Sequence, residues 1–518
     1  IYSIEIDIQT KGIDDFFPLL KKIPIKERSE FSQSVINELI KQPDPAFFCT
    51  ALSVYQGALL SNINFDDHAL DFFFTIFEGI DHFGVRKIAL STLSEVARII
   101  TTEIEMNIDR LIISICTYLQ FLAEQSVEIR TDNSPQAVEA LQTIIEVTPK
   151  LSDDSYRLFF LTSTQYIQNG ISLEQHRFLY LLSYLAQESF DCSTQQQTIA
   201  LFFECLNFPD PDVRLMAYNG MAIFSRFPQV ISVDDLIKAI DNEKDPYCFG
   251  TIVGIYGELV HHYHPQVKEY ILSKLEFIFS FVNIPETVSI IFFQNYGYAV
   301  MTLFYIISAY QAYELLDRLI QSLTFIIKND YVNSLNVQPI CCGFDSFFAL
   351  NCDPKVYLPI YQSIKELIET KPNHDLSVYS ILVALVQDQQ IEYIPNIDFF
   401  TISAIMSFIK LVQANSKENS NFVADVAEFI RLVYENYTSK DIMEIGKVLV
   451  EFILNLLSNE QSPIYSTTEI QLYYVLSSIV QIEGYFDQEF YSKLIPLLIS
   501  KINESTDPGR CKVLAFII

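Results

Sequence analysis

The residues best suited to chemistry are few. His261, His262 and His264 are the densest group among seven histidines. Glu258 stands three positions before His261, a spacing that puts a carboxylate and an imidazole on one helix face as metal ligands. A di-metal bundle needs a second such pair, and zinc needs three or four convergent ligands. The sequence offers neither, so the imidazoles read as a polar helix end, where C-terminal carbonyls favour them. Cys341-Cys342 is a vicinal pair with redox potential, but its apolar helical setting reads as buried thiols. Gly446-Lys447 is followed by Val448, so no phosphate loop forms. Gly250, Gly254 and Gly257 have helix-face spacing rather than the dinucleotide pattern. No nucleophile elbow or kinase catalytic-loop triplet occurs. The expectation is a protein that is not an enzyme, with no catalytic, cofactor-binding or metal residues and no cofactor.

The most informative stretch does structural work. In Asn207-Phe208-Pro209-Asp210-Pro211-Asp212-Val213-Arg214-Leu215-Met216-Ala217, Asp210 is a good N-cap, because its carboxylate can accept from free N–H groups of the first turn. Pro211 suits the first helical position, where a missing N–H costs nothing. Val213, Met216, Ala217, Gly220, Met221 and Phe224 then fall on one buried helical stripe. Arg214 sits in the first turn, where the helix dipole disfavours a cation. It therefore calls for a specific carboxylate, as from an Asp of an adjacent hairpin turn. Asp81-His82-Phe83-Gly84-Val85-Arg86-Lys87-Ile88-Ala89 repeats the idea, with Val85, Ile88, Ala89, Leu93, Val96 and Ile100 as its stripe. Asp507-Pro508-Gly509-Arg510-Cys511-Lys512-Val513-Leu514-Ala515 is a looser copy. Arg86, Arg214 and Lys512 are thereby read as rungs of an inter-repeat ladder with Asp81, Asp210 and Asp507.

These segments resemble HEAT and armadillo-type repeats, whose second helix commonly opens with Asp, then Val-Arg, then Ala. From Arg86 to Arg214 is 128 positions (214 − 86), or three periods of about 43. From Arg214 to Lys512 is 298 positions (512 − 214), or seven. Asp44-Pro45, Asp245-Pro246, Pro285 and Asp353-Pro354 mark further helix starts. The resemblance implies an all-α, right-handed superhelical solenoid of about 12 helix pairs, one continuous stack over residues 1–518. The importin-α branch of the armadillo family reads basic peptides with arrays of Trp and Asn. This chain has no Trp, which leaves the importin-β-like branch open.

Composition agrees with a long scaffold. Half of the 518 residues are hydrophobic, and Gly is scarce at 14, so burial is ample and no Gly-rich linker stands out. The polar breaks at Asn415 to Asn421 and Asn459 to Pro463 read as inter-helix loops. The net charge of −30 argues against nucleic acid, which needs clustered Lys and Arg, and against an anionic membrane surface. It favours a basic partner, or simply solubility. Lys21-Lys22-Ile23-Pro24-Ile25-Lys26-Glu27-Arg28 reads as a solvated loop and helix start. Nine cysteines without a C-x-x-C fit reduced thiols inside a cell. From Thr287 to Tyr313 no residue is charged, a length that could span a bilayer. Gln294-Asn295, a bend at Gly297 and the acidic flanks Glu286 and Glu314 favour a buried solenoid helix instead. The start at Ile1 and the apolar end at Leu514 to Ile518 read as a fragment with further repeats beyond.

The functional expectation is an intracellular protein-binding scaffold. It would engage protein partners with basic segments along its concave face, through acids on the second helices, without nucleic acid or membrane insertion. It would work in the cytoplasm or between nucleus and cytoplasm, as a nuclear transport receptor or adaptor does. Two alternatives stay open: a structural or regulatory subunit of a cytoskeletal, trafficking or phosphatase assembly, and the helical domain of an enzyme whose catalytic part lies elsewhere.

Overall fold

The fold was described in a computed structural model. It covers residues 23 and 25–504 except 43, 61–68, 189–191, 228–230, 284–288, 349–353, 372, 388–393, 415–419, 438, 459–465 and 483–484. Among the described residues there are 23 α-helices, two short 3-10 helices and no strand. The chain divides into two compact units, Ile1–Lys244 and Asp245–Ile518.

The first unit holds α1 Ile25–Leu39, α2 Pro45–Leu60, α3 Ala69–Gly79, α4 Phe83–Val96, α5 Thr101–Ala123, α6 Val127–Val147, α7 Asp153–Asn169, α8 Ser172–Glu188, α9 Cys192–Cys205, α10 Pro211–Phe224 and α11 Val233–Asn242. The second holds α12 Phe249–Ser273, α13 Leu275–Ser280, α14 Ile290–Tyr310, α15 Leu316–Lys328, α16 Val337–Phe348, α17 Pro354–Thr370, α18 Val378–Gln387, α19 Ile397–Ala414, α20 Ser420–Asn436, α21 Lys440–Leu457, α22 Ser466–Val480 and α23 Gln488–Glu504.

Each unit is a two-layer stack of hairpins. Most helices pack on a sequence neighbour, on the helix two further along, or on both. In the first unit α2, α4, α6, α8 and α10 line up in one layer and α3, α5 and α7 in the other. In the second, α12, α14, α16, α18, α20 and α22 form one continuous layer, opposed by the pairs α15–α17 and α19–α21. The fold class is therefore an all-α solenoid, in which the core grows lengthwise and each repeat touches its neighbours.

The repeat period can be measured from polar contacts. Lys87 reaches Asp132, Asp109 accepts from the Ser152 backbone, Gln120 meets Thr162 and Tyr156 meets Thr198. Asp330 accepts from the Asp375 backbone, Ser380 donates to Asp425 and Ser439 donates to Asp398. All seven pairs lie 41 to 45 positions apart. Other bonds between successive repeats span 39 to 49 positions, so the contacts scatter around the spacing of about 43 expected from the Arg positions.

Short polar side chains set the helix starts. Asp210 accepts from Asp212 N at 2.9 Å, and Asp44 from Ala46 N at 2.9 Å. Ser126, Ser152, Ser232, Ser289 and Ser439 cap α6, α7, α11, α14 and α21. Each such cap stabilises its helix by about 1 kcal/mol. Asp81 departs from the expectation: His82 is the N-cap of α4, its ring accepting from Val85 N at 3.3 Å. The α10 stripe is buried at Val213, Ala217, Gly220, Met221 and Phe224. The α4 stripe is buried at Val85, Ala89, Leu93 and Val96, but Ile88 points outward.

The uncharged run resolves into α14, packed between α12 and α16. Gly250, Gly254 and Gly257 form the closest face of α12. A Cβ added there would stand 1.6 Å from Asn295 Oδ1, 3.0 Å from Tyr298 and 2.7 Å from Thr302 Oγ1 respectively. The last close approach lets Thr302 donate to the Val253 carbonyl at 2.7 Å. Gly297 lies inside α14 against Asn336, not at a bend. The absent side chain answers a crowded neighbour rather than a turn. Two described helices, α14 and α19, are long and apolar enough to cross a membrane by length and composition. Both pack along neighbouring helices of the second unit.

Candidate binding surface

The two Arg positions recur at the same place in their hairpins and do the same local work. Arg86 follows the turn between α3 and α4. Its Nε donates to the Phe77 carbonyl at 3.2 Å, its Nη1 pairs with Asp81 at 3.2 Å, and its guanidinium lies 5.4 Å from the Tyr118 ring centre. Arg214 follows the turn between α9 and α10. Its Nη1 donates to the Phe208 and Pro209 carbonyls, both at 2.9 Å, and its Nε reaches Glu243 Oε2 at 3.0 Å. Each Arg satisfies carbonyls left free where the preceding helix ends, and so fixes the hairpin.

The expected ladder is corrected in its partners. Asp210 caps its own helix, and Arg214 pairs with Glu243 from the turn after α11. The carboxylate does come from an adjacent turn, but it is a Glu whose side chain is 5% exposed. A longer side chain is needed because the guanidinium is drawn back over the carbonyls of its own turn. Asp81 does pair with Arg86, but within one turn rather than between repeats, and it is 93% exposed. Lys512 and Asp507 lie outside the described residues, as do Lys21, Lys22 and Pro24 of the Lys21 to Arg28 cluster. Within that cluster, Arg28 Nε donates to the Ile23 carbonyl at 2.8 Å.

His261 and His262 close the first of two helical segments that join within α12. They sit at a kink inside α12, where Tyr263 leaves helical geometry (φ −130°, ψ 18°) two positions before Pro265. Pro265 has no N–H to continue the ladder, which accounts for the bend. Glu258 faces His262 at 3.5 Å rather than His261. His261 packs on His262 and Tyr305, with ring centres 4.7 and 5.2 Å apart. Among the described residues no three His, Cys, Asp or Glu side chains converge as metal ligands. Cys341 and Cys342 lie in α16 as half-buried residues, and burial pushes the Cys341 thiol above its ordinary range. Burial pushes the Cys116 and Cys205 thiols up to about 12. Gly446 packs against Tyr434, and Lys447 lies 5.1 Å from the Tyr485 ring.

One groove was not anticipated. At the C-terminal end of α3, a cavity of about 530 Å³ is lined by Phe77, Ile113, Tyr118 and Phe121, with Glu78, Asp81 and Arg86 as its charged lining. Glu78 is held by both Arg110 and Ser114 at 2.7 Å, and Arg110 lies 3.8 Å over the Phe74 ring. The Arg110 bond, with that from Ser114, holds the Glu78 carboxyl below the ordinary range against the effect of burial. On α5 the row Met106, Ile113 and Phe121 is 62%, 43% and 39% exposed. The sequence hid this row. Ile104, Ile108, Leu111, Ile112, Ile115 and Leu119 are buried on the same helix, so hydrophobicity alone does not separate its two faces.

No protein-family model and no curated protein sequence matches the chain. Among solved structures, importin beta from an ammonium sulfate crystal is similar with a TM-score of 0.49 and 12% identity, over 94% of this chain and 62% of that one. Kap121p is similar with a TM-score of 0.43 and 13% identity, over 91% of this chain and 47% of that one. A chain from a study of the phosphorylation-controlled interaction between cadherin and beta-catenin has a TM-score of 0.34 and 10% identity, over 93% of this chain and 97% of that one. The structures it resembles are HEAT/armadillo solenoid proteins. The chain spans less than two thirds of the importin beta chain and about half of Kap121p. The fold assignment rests on the helix order and the 41-to-45-residue rungs, not on these scores.

Proposed function

We propose that the chain is a protein-binding scaffold that engages basic segments of its partners. The layered stack supports this reading most directly. Its conserving features, caps, rungs and Arg corners, are spent on holding repeats in register, which leaves long rows of outward side chains to differ from repeat to repeat. The surplus of 64 acidic over 34 basic residues sets the sign of the partner. In the α2-to-α10 layer the acids concentrate on α6, where Glu128, Asp132 and Glu139 are exposed. In the second unit α14 and α18 carry no charge at all.

A nuclear-transport role is the finer form of this reading, cytoplasmic or nucleo-cytoplasmic in setting. The test is affinity capture from native lysate with the whole chain as bait, with and without a GTP-locked transport GTPase. Partners released by the GTPase support the transport form. Partners that stay bound in its presence favour an adaptor or a regulatory subunit. Turnover of a substrate by this chain alone would sink the scaffold reading altogether.

A further inference from the structure

We infer that His262 and Glu258 form a proton-operated clasp that stiffens the kink of α12. The clasp is independent of the scaffold reading. His262 is the last residue before Tyr263, where the chain leaves helical geometry. Pro265 has no N–H to offer the His261 carbonyl, four positions back. The carbonyls around His262 therefore form the negative end of a helical segment, which favours a cation. The second attraction is Glu258, one turn back. Its Oε2 stands 3.5 Å from His262 Nε2, and its side chain is only 11% exposed. His262 itself is 27% exposed, so solvent protons reach it.

The elements packed on α12 bring no competing charge to this turn. α14, which runs along it, has no Asp, Glu, Lys, Arg or His, and its titratable side chains are tyrosines. Of these, Tyr305 packs on His261, and Tyr310 donates to the His264 carbonyl at 3.0 Å with Lys268 over its ring. α13 carries one charged residue, Glu276, which pairs with Arg318 at 3.5 Å. The short 3-10 turn before α12 has Tyr247 and Cys248, at the far end of the helix. On α12 itself, His261 lies against His262, and His264 and Lys268 follow the kink. Protonation of His262 thus closes a pair with a nearly buried carboxylate just before the bend, while Tyr310 holds the backbone just after it. The folded chain favours the charged imidazole more than the unfolded chain does. The clasp is therefore complete below the ordinary histidine value of about 6.5 and is lost as pH rises through the folded-state value. Its range falls near neutrality, where histidine switches act.

Hydrogen exchange of the whole chain, followed in the segment from Leu259 to Lys268 and corrected for the intrinsic effect of pH on exchange, tests the clasp. Protection there should be about threefold higher near pH 6 than near pH 8. His262→Gln and the isosteric Glu258→Gln should each abolish that difference, and His261→Gln should keep it. The imidazole of His262, followed by NMR, should titrate above about 6.5 in the wild type and fall back in Glu258→Gln. A pH difference that survives in His262→Gln would overturn the clasp, and so would wild-type protection that is equal at the two pH values.

Discussion

Arg214 and Arg86 hold equivalent hairpin corners with unequal force, because their carboxylates differ in exposure. Glu243 is nearly buried, so removing its guanidinium is costly. Asp81 lies in water, where a single ion pair contributes little. Arg214→Ala should lower stability by about 3 kcal/mol, and Arg86→Ala by about 1 kcal/mol, mainly through the lost carbonyl bond. Thermal unfolding of the two variants checks the order. A larger loss for Arg86→Ala would reject the corner account. The choice of partner should be unchanged in Arg214→Ala, since this residue serves the hairpin. Asp425 offers a test by pH. Burial pushes its carboxyl above the ordinary range, against the pull of the Ser380 hydroxyl. A raised folded-state value means that folding favours the protonated acid, so the wild type gains relative to a neutral variant as pH falls. Asp425→Asn should match or exceed the wild-type melting temperature at pH 7 and lose that advantage in the carboxylate range. An advantage that widens in acid would contradict the burial argument.

At the scale of elements, the contact of α12 with α14 sets two known effects against each other. Within a helix, Gly→Ala is favourable by up to about 1 kcal/mol. At Gly257 the new methyl would meet Thr302 Oγ1 at 2.7 Å, and overpacking costs about 1–3 kcal/mol. Gly257→Ala should therefore lower the melting temperature, and a rise would show that the helices can move apart freely. What the sequence revealed of such elements depended on their chemistry. Asp210 and Pro211 marked a helix start because capping is local. The glycine spacing marked one face because it is periodic. Glu243 was not legible as the partner of Arg214, because the choice lies between repeats. The α5 groove was not legible either, since hydrophobicity alone does not distinguish Ile113 in solvent from Ile112 in the core. Gly297 read as a bend for want of its neighbour Asn336.

For the whole molecule, the account joins a solenoid fold to a surface dominated by negative charge. Rungs, caps and corners hold repeats together and the outward rows meet partners, with exposed acids such as Asp132 belonging to both. Charge pairs across an exposed surface weaken as salt rises, whereas buried apolar contacts hold. The most direct measurement is the affinity of the whole chain for a partner captured from native lysate, followed from about 0.1 to about 1 M salt, where the screening length falls from about 10 to about 3 Å. The account predicts a partner with a basic segment whose affinity falls steeply across that range. Affinity that is flat across it, for a partner with no basic segment, would contradict it.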